Sequence, residues 1–271
     1  MSQLASARAD RAKPVHVGAH LRQWRQRRHL SQLDLALEAE ISARHLSFVE
    51  TGRAAPSRDM VLKLAERLDV PLRERNVLLV AAGYAPAFQQ RPLDDPALKP
   101  AREAMSLVLK AHEPNPALAV DRYWSLVGAN RMIAPLLAGI PDRLLAPPLN
   151  VLRVAFHPEG LASRTVNLAE WCGHLLERLH RQCEATADAD LLRLYEELKS
   201  YPIPARSAPL AADSVAIPLR LRVGTEVLSF FSTTMVFGTP VDITLSELAL
   251  ETFFPADDLT AVRLKEMAPA P

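Results

Sequence analysis

The chain has 271 residues, of which 49% are hydrophobic and 23% charged, and its formal net charge is +1. That is an ordinary globular composition with enough apolar material for two cores. No stretch approaches the ~18 uncharged apolar residues of a membrane helix. Residues 1–13 lack the apolar run of a secretory signal, so a cytoplasmic address is expected.

The charge is unevenly placed. Residues 1–84 hold fourteen Lys/Arg against nine Asp/Glu, a balance of +5; residues 85–271 hold eighteen against twenty-two, a balance of −4. A small basic domain joined to a larger acidic one suits a nucleic-acid binder with a non-binding partner domain.

Residues 1–14 are polar, charged and small, and read as a disordered arm. Five short helical patterns follow, over residues 15–85. The first, 17–29, has Val17, Leu21 and Trp24 on one face. Ser31 reads as the N-cap of 32–40, with Leu33, Ala36 and Leu37 as the apolar stripe. Ser42 caps 43–50, which Gly52 ends. Pro56-Ser57 opens 58–68, carrying Val61, Leu64 and Leu68. Pro71 opens a fifth that ends at Gly83. Residues 86–97, with Pro86, Pro92 and Pro96, have linker composition.

The helix 43–50 carries the chemistry. At 100° per residue, Leu46 and Val49 point one way, while Ala43, Arg44, Ser47 and Phe48 centre on nearly the opposite direction. So short a helix must bury the first pair to hold. The outward set then suits base edges in a major groove: Arg for guanine, Ser for several bases, Ala or Phe for a thymine methyl. The alternative is a generic helical domain with Phe48 tucked against a neighbour.

The second domain, 98–271, reads as α+β. Residues 100–111 are helical. Strands are expected at 117–120 and 123–127, around an Asp121-Arg122 turn. Asn130 caps a helix through Leu137, and 150–157 is ambiguous between strand and helix. A long helix over 163–185 carries Leu168, Trp171, Leu175, Leu179 and Cys183, and another follows at 188–199. Cys172 and Cys183 fall on the long helix ~16 Å apart, too far for a disulfide, so both are expected to be free buried thiols. Residues 215–223 and 226–237 flank Gly224-Thr225, a two-residue hairpin loop with Gly first. Register puts Leu219, Leu221, Leu228 and Phe230 on one face and Arg220, Arg222, Ser229 and Phe231 on the other. A last strand falls around 246–254.

Catalytic signatures are missing. There is no HExxH, GxSxG, GxGxxG or phosphate loop, and no Cys/His spacing of a zinc site. Glu170, His174 and Arg178 lie four apart on one helix face and read as a solvated ion-pair stripe. No enzyme activity, catalytic residue, cofactor or metal is therefore expected. A small sheet covered by apolar helices can enclose a ligand. The candidate lining is Trp171, Leu175, Leu228, Phe230 and Met235, each equally suited to plain core. Arg153 and Asn167 are the candidate anchors; a structural bridge from Arg153 to Glu170 is the alternative.

Two resemblances sharpen this reading. Leu30-Ser31-Gln32, Leu35-Ala36, Ile41-Ser42 and Glu50-Thr51-Gly52-Arg53 resemble the Xre/Cro/phage-repressor helix-turn-helix family. The resemblance implies that Gln32 contacts phosphate and buttresses the reading helix. It places Arg44 at a reading position flanked by Ser42, Ala43 and Ser47; Arg53, just past the glycine, suits a phosphate contact. Glu40 stands where that family often has Gly, so the turn must do without a left-handed residue or strain Glu40. Further runs resemble the MmyB-like subfamily: Arg44 to Phe48, Pro71 to Asn76, Asp121 to Trp124, Asn150 to Arg153, Asn167 to Trp171, Phe230 to Thr234, Phe237 to Pro240 and Phe253 to Asp257. That resemblance implies a PAS-like second domain with an antiparallel sheet, able to hold a fatty-acyl-type molecule. The expectation is a homodimeric regulator of double-stranded DNA under the control of a small apolar, fatty-acid-like effector. The alternative is a DNA-binding scaffold whose second domain only dimerises or recruits a protein.

Overall fold

The computed structural model describes residues 16–204 and 216–268. The expected arm at 1–14 lies outside the described residues. The chain divides into two compact units, Met1–Phe88 and Gln89–Pro271.

The first unit is helical: α1 Val17–Arg27, α2 Gln32–Glu38, α3 Ala43–Glu50, α4 Arg58–Arg67 and α5 Leu72–Ala81. Side chains start four of them. His16 Nδ1 accepts from Gly18 N, Ser42 Oγ from His45 N and Ser57 Oγ from Met60 N, while Ser31 and Asp34 form a reciprocal capping box. All five end alike, in a left-handed residue whose successor donates its N–H back five positions. The left-handed residues are His29, Glu40, Gly52, Asp69 and Gly83; the bonds run from Leu30 to Arg25, Ile41 to Ala36, Arg53 to Phe48, Val70 to Ala65 and Tyr84 to Leu79. This is the Schellman arrangement, which satisfies the last carbonyls of a helix. Glu40 does adopt the left-handed conformation, at φ 52°.

Leu21, Leu35, Leu46, Leu64, Leu68, Leu78 and Leu79 form the heart of this unit's core. The α2 stripe differs from expectation. Leu33 and Leu37 are 58% and 68% exposed, and Leu35, Ala36 and Ala39 are buried. In so short a helix the two apolar stripes are equally dense, and packing against α3 and α4 selects the second. Helices α1 and α3 touch at backbone distance: a Cβ on Gly18 would stand 2.0 Å from Val49 O.

The second unit is an α+β domain built on a curled antiparallel sheet of order β2-β1-β5-β4-β3. Its strands are β1 Ala117–Val120, β2 Leu126–Ala129, β3 Leu219–Val223, β4 Glu226–Val236 and β5 Ala249–Pro255. The helices are α6 Lys99–Ala111, α7 Ile133–Leu137, α8 Asp142–Leu145, α9 Val151–Phe156, α10 Leu168–Thr186, α11 Ala189–Lys199, α12 Ile243–Ser246 and α13 Asp258–Met267. Residues 89–95 fasten to this unit, through Arg91 Nη1 to Asp242 and Arg102 Nη1 to the carbonyls of Leu93 and Asp95.

The β3–β4 hairpin has the expected register, Leu219↔Phe230, Leu221↔Leu228 and Val223↔Glu226, with Gly224 at φ 62°. Strand β1 is buried on both faces. Leu118 and Val120 join the core under α9, α10, α11 and α13, while Ala117 and Ala119 lie with Met105 and Leu109 of α6. The strand expected at 123–127 instead starts at Leu126. Asp121 Oδ1 accepts from the N–H groups of Tyr123 and Ser125, and Trp124 is left-handed at φ 64°, so these residues form the turn. The ambiguous stretch at 150–157 is helical, because Asn150 Oδ1 caps it at Leu152 and Arg153. Helix α10 starts five residues later than expected, since Thr165 bridges to Leu221 and Asn167 binds β3.

Candidate functional site

Helix α3 buries Leu46 and Val49 completely and leaves Arg44 exposed, with Ala43, Ser47 and Phe48 half-buried. The Arg44 guanidinium lies over the Phe48 ring at 5.4 Å, so the aromatic face is partly covered by the charge it supports. Ser42 is exposed and spends its oxygen on capping. Arg53 is exposed one residue past Gly52.

Behind α3 lies a buried ionic knot. Arg25 Nε and Nη2 donate to the two oxygens of Glu50 at 2.7 and 2.9 Å, and Arg25 Nη1 donates to Leu30 O at 2.7 Å. Gln32 Nε2 donates to Glu50 Oε2 at 2.8 Å. The Glu50 side chain is 1% exposed. Its contact with Glu50 holds the Arg25 guanidinium above its ordinary value, chiefly through the hydrogen bonds. Gln32 thus ties the start of α2 to the end of α3. Neither Arg25 nor Glu50 was legible as part of this arrangement, because an Arg and a Glu at 25 residues' separation carry no periodic signal.

In the second unit the helices and the inner sheet face enclose a cavity with about 110 Å³ of free space. Leu118, Trp124, Ile133, Leu136, Leu152, Trp171, Leu175, Leu221, Phe230 and Phe253 contribute to its apolar wall. The polar side chains on that wall are Arg178, Ser232 and Glu251. Arg178 and Glu251 form a bidentate ion pair of α10 with β5, Nη1 to Oε2 at 2.9 Å and Nη2 to Oε1 at 2.5 Å. Thr234 Oγ1 donates to the same carboxylate at 3.2 Å. The Arg178 guanidinium also stands over Trp124 at 4.6 Å, and Trp124 Nε1 donates to Gln182 Oε1.

A family model described as the MmyB-like transcription regulator ligand binding domain matches residues 101–267. The chain belongs to this MmyB-like family. A second family model, for a helix-turn-helix, matches residues 21–75, so the MmyB-like regulator joins a DNA-binding domain to a ligand-binding one. No curated protein matches the chain.

The MmyB-like domain brings only some of the expected ligand residues to its cavity. Trp171, Leu175 and Phe230 line it. Leu228 is buried core outside the lining, and Met235 is 40% exposed. Arg153 stands apart from the cavity, paired with Glu197 on α11 rather than with Glu170, both bonds at 2.7 Å. Asn167 is absorbed by the sheet: Nδ2 donates to Pro218 O and Oδ1 accepts from Arg220 N. The spacing placed Arg178 in a solvated stripe with Glu170 and His174; instead it faces the cavity with Trp171 and Leu175, at positions i, i+4 and i+7. The missed signal was Glu251, the one charged residue of a largely apolar strand.

Cys172 and Cys183 are free and buried, and burial pushes the Cys172 thiol up to about 12. Among the described residues, no group of three His, Cys, Asp or Glu is placed to hold a metal ion, and no helix is long and apolar enough to cross a membrane.

Proposed function

We propose that this transcription regulator binds a small, largely apolar, fatty-acyl-like molecule in its second domain, and that the ligand changes affinity for DNA. The supporting observation is the cavity, whose wall is apolar except for one closed ion pair and a serine. Such a site suits an apolar body with few, specific polar contacts. The ligand acts only through preferential binding to one arrangement of the regulator.

On the DNA side, Arg44 reads a base edge with Ser42, Ala43, Ser47 and Phe48 around it, while Gln32 and Arg53 contact phosphate. One eight-residue helix reads too few base pairs for a useful specificity ratio, so the regulator works as a cytoplasmic homodimer on a pseudo-palindrome.

Native mass spectrometry of freshly purified full chain, alone and with operator duplex, tests both parts. The expected spectra show a small apolar molecule on the protein and two chains per duplex. A strictly monomeric complex covering a single half-site removes the dimer. A second domain that carries no apolar molecule and takes up none removes ligand control and favours a scaffold.

A further inference from the structure

The cavity wall carries a cation and an anion already closed on each other. On strand β5, Phe253 and Glu251 lie two residues apart and so face the same way; across the ladders Glu251 is in register with Leu118 of β1 and Thr234 of β4. Leu118 and Phe253 line the cavity, so the carboxylate stands within an apolar surface. Its side chain is 7% exposed and that of Arg178 25%. Both guanidinium Nη atoms donate to Glu251, and the guanidinium carbon lies over the Trp124 ring. The charged groups on the lining therefore sum to zero.

This arrangement discriminates between head groups. A carboxylate that entered would bring a third charge into an apolar pocket. It would lie beside Glu251, whose charge already balances that of Arg178. Taking Arg178 for itself would leave Glu251 buried without its partner, which is among the most destabilising changes a fold can undergo. A neutral head carrying both a donor and an acceptor meets neither obstacle. Its carbonyl accepts from Arg178 and its N–H or O–H donates to Glu251, while the ion pair stays closed.

We infer that the Arg178–Glu251 pair selects an uncharged acyl compound, with a carbonyl and an N–H or O–H at its head, over the corresponding ionised carboxylate. This rests on the reading of the second domain as an apolar-ligand site and specifies its ligand class.

Decanamide and decanoate are near-isosteric probes that differ in charge. Calorimetric titration of each into the full chain at pH 7.5 should give the amide an advantage of at least about tenfold, equivalent to ~1.4 kcal/mol. Glu251→Gln keeps the shape and frees the guanidinium, so the preference should invert toward decanoate. The double variant Arg178→Gln/Glu251→Gln leaves neither charge buried alone: decanoate binding should be lost, with decanamide retained within about tenfold. Equal or tighter binding of decanoate by the unaltered chain would overturn the inference and leave the apolar-ligand reading standing. Binding of neither probe would remove both. An E251Q protein that folds and still prefers the amide would show that the pair does not set the selectivity.

Discussion

Arg44 and Gln32 sit 12 residues apart and are held differently. Arg44 is exposed, steadied by the Phe48 ring, and free of ion pairs among the described contacts. Gln32 is held by Glu50, which Arg25 holds in turn. Arg44→Ala is expected to relax sequence preference at one base pair, at a loss of roughly 1–3 kcal/mol on the best operator. Gln32→Ala and Arg53→Ala should weaken binding to all sequences alike. Fluorescence anisotropy over a set of single-base operator variants separates these patterns, and an Arg44→Ala protein with intact preference would reverse the assignment. Folding should survive Gln32→Ala, since the Arg25–Glu50 pair remains and a hydrogen bond to a carboxylate is worth about 1.5–3 kcal/mol. Two histidines of the second unit give a pH dependence. Burial holds His112 and His174 below the ordinary histidine value; His112 packs edge-on against Phe254 at 4.8 Å, and its Nε2 is buried without a hydrogen bond. A histidine with a depressed folded pKa contributes stability that is present above its unfolded value near 6.5 and lost as pH falls below it. Thermal unfolding followed from pH 7 to pH 5 should therefore show a falling midpoint. His112→Gln should flatten that fall; an unchanged slope would acquit His112.

The element scale shows what a sequence can and cannot reveal. Helix α3 was legible because its core pair and its outward set are segregated by angle. The β3–β4 hairpin was legible because alternation and Gly224 agree on one register. Helix α2 misled because Leu33/Leu37 and Leu35/Ala36/Ala39 are rival stripes, and only tertiary packing chooses between them. Helix α13 went unseen: it buries only Thr260 and Leu264 while exposing Leu259 and Val262, so its periodicity is weak. The cavity's apolar wall was partly legible from α10 and β4. The pair that polarises it was not, since Arg178 and Glu251 lie 73 residues apart. The shared helix ending gives a stability prediction. Asp69 is left-handed at φ 46°, where a Cβ costs roughly 1–2 kcal/mol. Its carbonyl accepts from Arg28, a bond that any residue retains. Asp69→Gly should raise the stability of the first unit by about 1 kcal/mol, or about 4 °C or more for a domain of this size. Gly52→Ala should lower it by a similar amount, since φ is 74° and the added Cβ would lie 3.3 Å from the His16 ring. Circular dichroism melts of the two variants should move in opposite directions, and a shared direction would rule out backbone strain as the cause.

Across the whole molecule, a basic reading domain is joined to an acidic domain that holds an apolar cavity. The acidic balance makes the second domain a poor DNA surface, so the proposed ligand control would act through the regulator's own conformational or assembly equilibrium. Such coupling is reciprocal, with typical energies of about 1–3 kcal/mol. The most direct test is a matched pair of titrations on the full chain, using the apolar molecule recovered by native mass spectrometry: its affinity with and without operator DNA, and operator affinity with and without it. The account predicts the same factor in both, about 5- to 150-fold. Ligand affinity that is identical with and without operator would contradict it, leaving a ligand-binding domain that does not control DNA binding.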